Sequence, residues 1–157
     1  MSKAILLIFF LLLPLPAESM IRYSIDATYD PETETIHGTL NVRLNDVNEP
    51  FMLLYPNIYL KEGSQESYQV KFNEGFIKIL SLKDGDNNSL ETDPVRDDVV
   101  FKIKSENPLT EINIEFLTKI PERIGVFGHF EDTVTLQGGW HPLISTSPDE
   151  ELPFSDY

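Results

Sequence analysis

The sequence predicts an all-β chain, an antiparallel β-sandwich placed behind an export signal. Three observations predict it. Short apolar segments alternate in twos, as residues on a half-buried strand must. Pro and Gly are scattered between those segments rather than pooled in one linker. No stretch of about a dozen residues carries the 3.6-residue period of an amphipathic helix.

The first segment is the export signal, residues 1–19. Lys3 supplies the positive charge and an apolar run follows from Ala4 to Leu15. That run is shorter than the roughly 20 residues needed to span a bilayer as a helix. Pro14 and Pro16 break it, and Ala17-Glu18-Ser19 fits a small-x-small cleavage site that leaves Met20 as the new N-terminus. The expected destination is the periplasm or the extracellular space, with no membrane attachment after cleavage.

A sandwich domain is expected over residues 20–144. Tyr23, Ile25, Ala27 and Tyr29 fall on one face of a first strand, expected to be half-buried; Arg22, Ser24, Asp26 and Thr28 fall on the other. Asp30-Pro31-Glu32-Thr33 is a turn, Pro being preset for its second position. Ile36, Gly38, Leu40, Val42 and Leu44 make the hairpin partner, with Gly38 marking a bulge or a close approach. Phe51 to Tyr55 is a continuous apolar run, as in a strand buried on both faces. Strands are also expected around Tyr68, Val70 and Phe72; around Phe76, Ile77, Ile79 and Leu82, where alternation is less clean; around Val99, Phe101 and Ile103; and around Ile112, Ile114 and Phe116. Asp84 to Ser89 is a polar loop. Residues 145–157 are expected to form an exposed acidic tail.

Composition removes several functions. The 157 residues hold 12 Lys plus Arg against 26 Asp plus Glu, a net charge of −14, and no cysteine. Without Cys there is no disulfide frame, thiol nucleophile or Cys-held zinc. The acidic excess opposes nucleic acid and anionic lipid, both of which select clustered Lys and Arg.

The chemistry-bearing patterns fail one by one. Asp84-Gly85-Asp86-Asn87-Asn88 resembles the start of a calcium loop. Ser89 stands where the sharp turn wants Gly, and Val95 where a bidentate Glu is needed. His37, His129 and His141 are dispersed, with no His-Glu-x-x-His pair. There is no Gly-x-Ser-x-Gly elbow and no Gly-rich phosphate loop. Glu131-Asp132 and Asp149-Glu150-Glu151 are more simply solvated faces than a glycosidase pair. Asn87-Asn88-Ser89 is a glycosylation sequon, relevant only in a eukaryotic secretory host. No catalytic, cofactor or metal residue is assigned. Trp140, in the Gln137 to Pro142 loop, is expected to act as a structural plug.

Several segments, in order, resemble the N-terminal domain of the M1 family of zinc aminopeptidases. They are Tyr23 to Pro31 (YSIDATYDP), Thr35 to Val42 (TIHGTLNV), Phe51 to Pro56 (FMLLYP), Ile114 to Pro121 (IEFLTKIP), Arg123-Ile124-Gly125 and Gly139-Trp140-His141-Pro142. His141 stands where some bacterial M1-like proteins have Tyr. The resemblance implies a saddle-like β-sandwich that packs on a zinc peptidase domain and walls one side of a peptide cleft. It implies no activity for this chain by itself, because the family's zinc helix, distant Glu ligand and Gly-x-Met-Glu-Asn loop belong to the following domain. The chain is therefore expected to be a fragment or degenerate paralogue, truncated before the catalytic domain, with any zinc held elsewhere. Phe127, Phe130, Trp140 and His141 are the expected packing or binding surface. The alternative is a stand-alone secreted module, with Tyr55, Tyr59, Phe127, Phe130 and Trp140 offering an aromatic surface to glycans or peptides.

Overall fold

A computed structural model describes residues 21–60, 75–96, 98–122 and 127–147. The expected export signal, the strand around Tyr68 to Phe72 and residues 148–157 lie outside them. The described chain is all-β. The strands are β1 (Arg22–Asp30), β2 (Thr35–Val47), β3 (Phe51–Leu53), β4 (Phe76–Asp84), β5 (Glu91–Arg96), β6 (Val100–Lys104), β7 (Leu109–Lys119), β8 (Phe127–Phe130), β9 (Thr133–Leu136) and β10 (Leu143–Ser145). A 3-10 helix, Tyr55–Leu60, follows β3.

Two four-stranded sheets are present, ordered β1-β2-β7-β4 and β10-β3-β6-β5, with β8-β9 as a separate hairpin. The strand pairings are antiparallel. Leu40, Val42, Ile112, Ile114 and Phe116 of the first sheet share one buried cluster with Met52, Ile103 and Ile144 of the second. The two sheets therefore face each other across a common core, which is where antiparallel sheets with one apolar face must put it. Met52 enters that cluster while Leu53 joins a smaller one with Val99 and Val100. The apolar run is thus buried on both sides from Met52 onward, but the strand is shorter than expected: it ends at Leu53, and Tyr55 already opens the 3-10 helix.

The expected β1–β2 hairpin forms in register, with Tyr29 opposite Ile36 and Tyr23 opposite Val42. The Asp30 carboxylate holds its turn by accepting from the Glu32 amide and the Thr33 hydroxyl. Gly38 marks a close approach, not a bulge. A Cβ there would lie 2.5 Å from Cζ of the buried Phe116 ring, whereas the register slips further along, between Arg43 and Val47. The unclean alternation of β4 has the same origin, a register shift between Ile79 and Ser81.

Two expectations are corrected. β1 is exposed along its whole length rather than half-buried. It is an edge strand, and the flanking β10 of the other sheet is only three residues long. Ser145 is buried as the last residue of β10, paired with Phe51, so the tail does not begin there.

Candidate functional site

The Gly139 to Pro142 loop is built by local constraints. Gly139 has φ +69°, and a Cβ on it would lie 2.9 Å from the Tyr55 ring, so only glycine fits. That turn lays Trp140 against the main core. Its ring centroid is 6.4 Å from Phe116, and its carbonyl accepts a 2.8 Å hydrogen bond from the Thr118 hydroxyl. Trp140 is thus a plug with one partly open side.

His141 meets the Trp140 ring edge-on at 5.0 Å and lies 6.0 Å from Tyr23. Its Nδ1 donates to the Pro142 carbonyl at 2.9 Å. Burial pushes the imidazole below its ordinary value of 6.5, so it stays neutral at neutral pH. Tyr23 in turn reaches β10. Its hydroxyl donates to the Ile144 carbonyl at 3.0 Å and accepts from the Ile144 amide at 2.9 Å.

Beside this corner runs an apolar stripe. Tyr23, Ile25 and Tyr29 are each 37% exposed. Directly opposite residues in an antiparallel pair share a face. Their partners Val42, Leu40 and Ile36 are all core residues. The stripe therefore lies on the core side of its sheet; among the described residues the second sheet reaches Tyr23 through β10 and leaves Ile25 and Tyr29 exposed. An isolated exposed apolar side chain means little; a contiguous apolar stripe on a core-side face stands apart from that ordinary scatter.

The four residues singled out from sequence do not form one surface. Phe127 is 1% exposed and belongs to the main core, because β8 turns it inward; it is not a surface residue. Phe130 is 46% exposed at the end of β8. Trp140 and His141 lie at the Tyr23 corner. Tyr55 is buried beneath Gly139, so the aromatic surface of the binding-module alternative loses both Tyr55 and Phe127. Tyr23, Ile25 and Tyr29 lie outside the surface expected from the sequence, which places them on one half-buried strand face.

The titratable groups make no catalytic constellation among the described residues. His37 sits 3.3 Å from Glu115 on the exposed face. His129 Nε2 lies 3.1 Å from Glu34 Oε1, close enough for an ion pair, yet this buried nitrogen has no hydrogen-bond partner. Lys119 Nζ donates to Glu34 Oε2 and to the Thr33 carbonyl, each at 2.8 Å. This group fastens the β1–β2 turn to β7 and β8. The Asp84 carboxylate accepts from the amides of Asp86 and Asn88 and from the Asn88 side chain, so it closes its own hairpin loop. Glu131 and Asp132 form an exposed turn between β8 and β9. No group of three His, Asp or Glu side chains is placed to hold a metal among the described residues.

Comparison with family models, with characterised proteins and with solved structures finds no match.

Proposed function

We propose that this chain is a non-catalytic, exported docking domain whose sheets form the saddle-like sandwich of the M1 aminopeptidase N-terminal domain. Its role is to pack against a zinc peptidase domain and wall one side of a peptide cleft. The observation that carries this reading is the core-side stripe that runs from Tyr23, beside Trp140 and His141, to Ile25 and Tyr29, which stay exposed among the described residues. A face that would ordinarily be covered by a second layer is open, and a neighbouring domain supplies that layer. The ordered motifs from Tyr23 to Pro142 support the choice of lineage, and their departure at His141 falls inside the same corner. Zinc and peptide chemistry belong to the partner.

Trp140 is the only tryptophan of the chain and therefore reports on this corner. The test is a fluorescence titration with an M1-type zinc catalytic domain prepared without its own N-terminal domain. The expected result is a saturable change in Trp140 emission that Ile25→Lys abolishes. Unchanged emission throughout the titration overturns the reading.

A further inference from the structure

The free edge of a sheet is a row of unpaired amides and carbonyls, and folded chains usually blunt it. Of the four edges of the two four-stranded sheets, three are blocked by a neighbouring group, a proline or a register shift. On β4, the buried Asn57 side chain accepts from the Ile77 amide at 2.8 Å and donates to the Ile77 carbonyl at 3.2 Å, and the Leu90 amide donates to the Leu82 carbonyl. On β10, the Tyr23 hydroxyl satisfies both backbone groups of Ile144. On β5, Pro94 and a register shift between Pro94 and Arg96 interrupt the edge. β1 has no proline and no register shift against β2 over its nine residues. Among the described residues, no other segment makes a backbone hydrogen bond to the outer edge of Ser24 to Asp30.

We infer that β1 is a self-association edge, pairing antiparallel with β1 of a second copy about a two-fold axis through Asp26. The sequence of the strand, RYSIDATYD, is nearly symmetric about that residue. Antiparallel pairing about Asp26 sets Arg22 opposite Asp30, Tyr23 opposite Tyr29, Ser24 opposite Thr28 and Ile25 opposite Ala27, each twice. Face matches face, because paired positions differ by an even number of residues. Charge is complementary at both ends. Arg22 faces Arg43 across its own sheet and makes no ion pair among the described residues, so the carboxylate of a second copy's Asp30 offers it a partner. The two Tyr–Tyr pairs bring the exposed stripes side by side, and about eight to ten backbone hydrogen bonds join the strands. One feature opposes the contact: the two Asp26 carboxylates meet on the axis. The pairing consumes the edge of β1 and leaves the stripe's face open, so it is separate from the packing role proposed above.

The absence of native cysteine makes the test direct. On the axis, the Cα atoms of position 26 stand about 4.5–5.5 Å apart, inside the roughly 4.4–6.8 Å that a disulfide spans. Position 24 pairs with 28, so the two copies of position 24 are about 13 Å apart. The full-length chain carrying Asp26→Cys is expected to form a disulfide-linked dimer under mild oxidation well before the Ser24→Cys chain does. An equimolar mixture of Ser24→Cys and Thr28→Cys chains is expected to cross-link as a heterodimer. In sedimentation of the cysteine-free chain, Asp26→Asn tightens the dimer several-fold, and Arg22→Glu weakens it about tenfold or more. Equal cross-linking at positions 24 and 26, or a chain that sediments as a monomer at every concentration, overturns the inference.

Discussion

The Tyr23 hydroxyl both donates to the Ile144 carbonyl and accepts from the Ile144 amide, and so joins the edge of one sheet to the edge of the other. These residues are 121 positions apart in the chain. The contact decides where the core is closed: up to Tyr23 the two layers meet, and beyond it Ile25 and Tyr29 are open.

Tyr23→Phe keeps the ring and removes the hydroxyl, leaving both backbone groups of Ile144 without their partner. Each unsatisfied group costs about 1–3 kcal/mol if it stays dry, and water relieves part of that at this half-open position. The expected loss is about 1–3 kcal/mol, read from the midpoint of urea unfolding at constant slope.

Gly38→Ala places a methyl 2.5 Å from Cζ and 2.8 Å from Cε1 of Phe116, a ring that is fully buried. Trp140 lies beside the same ring and limits its retreat. Overpacking of this kind costs about 1–3 kcal/mol. The double variant Gly38→Ala with Phe116→Leu is expected to be more stable than the sum of the two single changes predicts. A double-mutant cycle by chemical unfolding measures that coupling.

Asn57→Ala removes one amide that serves three backbone groups, the amide and carbonyl of Ile77 and the carbonyl of Asp98. Asn57 is itself buried, so little water replaces it. The expected cost is about 2–3 kcal/mol, together with faster amide hydrogen exchange at Ile77 than at the central β7 residues.

Acid should weaken the fold in two steps. Burial lowers the His141 pKa, so the folded state binds that proton less readily than the unfolded chain. Its contribution is present above the unfolded value near 6.5 and is lost as pH falls below it toward the depressed folded value. The second step comes from carboxylates with lowered pKa: Asp30 through its hydrogen bond to Thr33, Glu34 through Lys119, and Asp84 through the Asn88 side chain. Their contributions are present above about 4 and are lost as pH falls through the folded values. Urea midpoints collected against pH should show both declines, and His141→Gln should remove the first while leaving the second.

The strands that alternate strictly over a buried face, β2 and β7, are legible in the sequence, because period two and a buried face are one physical fact. β1 is legible as a strand by the same alternation, and Asp30 with Pro31 marks the turn after it, but the burial expected of its apolar face is not found. β5 was not readable: Glu91, Asp93, Pro94 and Arg96 give an edge strand no apolar rhythm. Parity also broke where the register slips, after Arg43 and after Ile79. Phe127, expected on the packing surface, is turned into the core by β8. The exposed stripe depends on how far β10 reaches across β1, which is a tertiary relationship between distant segments. Local pattern showed that Tyr23, Ile25 and Tyr29 share a face but not that the face stays open.

The central claim, a docking domain with no chemistry of its own, is tested most directly by incubating the purified chain with zinc and a panel of aminoacyl peptide substrates. The account predicts no hydrolysis above the metal-only control at any pH at which the chain is folded. Turnover that co-purifies with the chain and disappears on unfolding would contradict it.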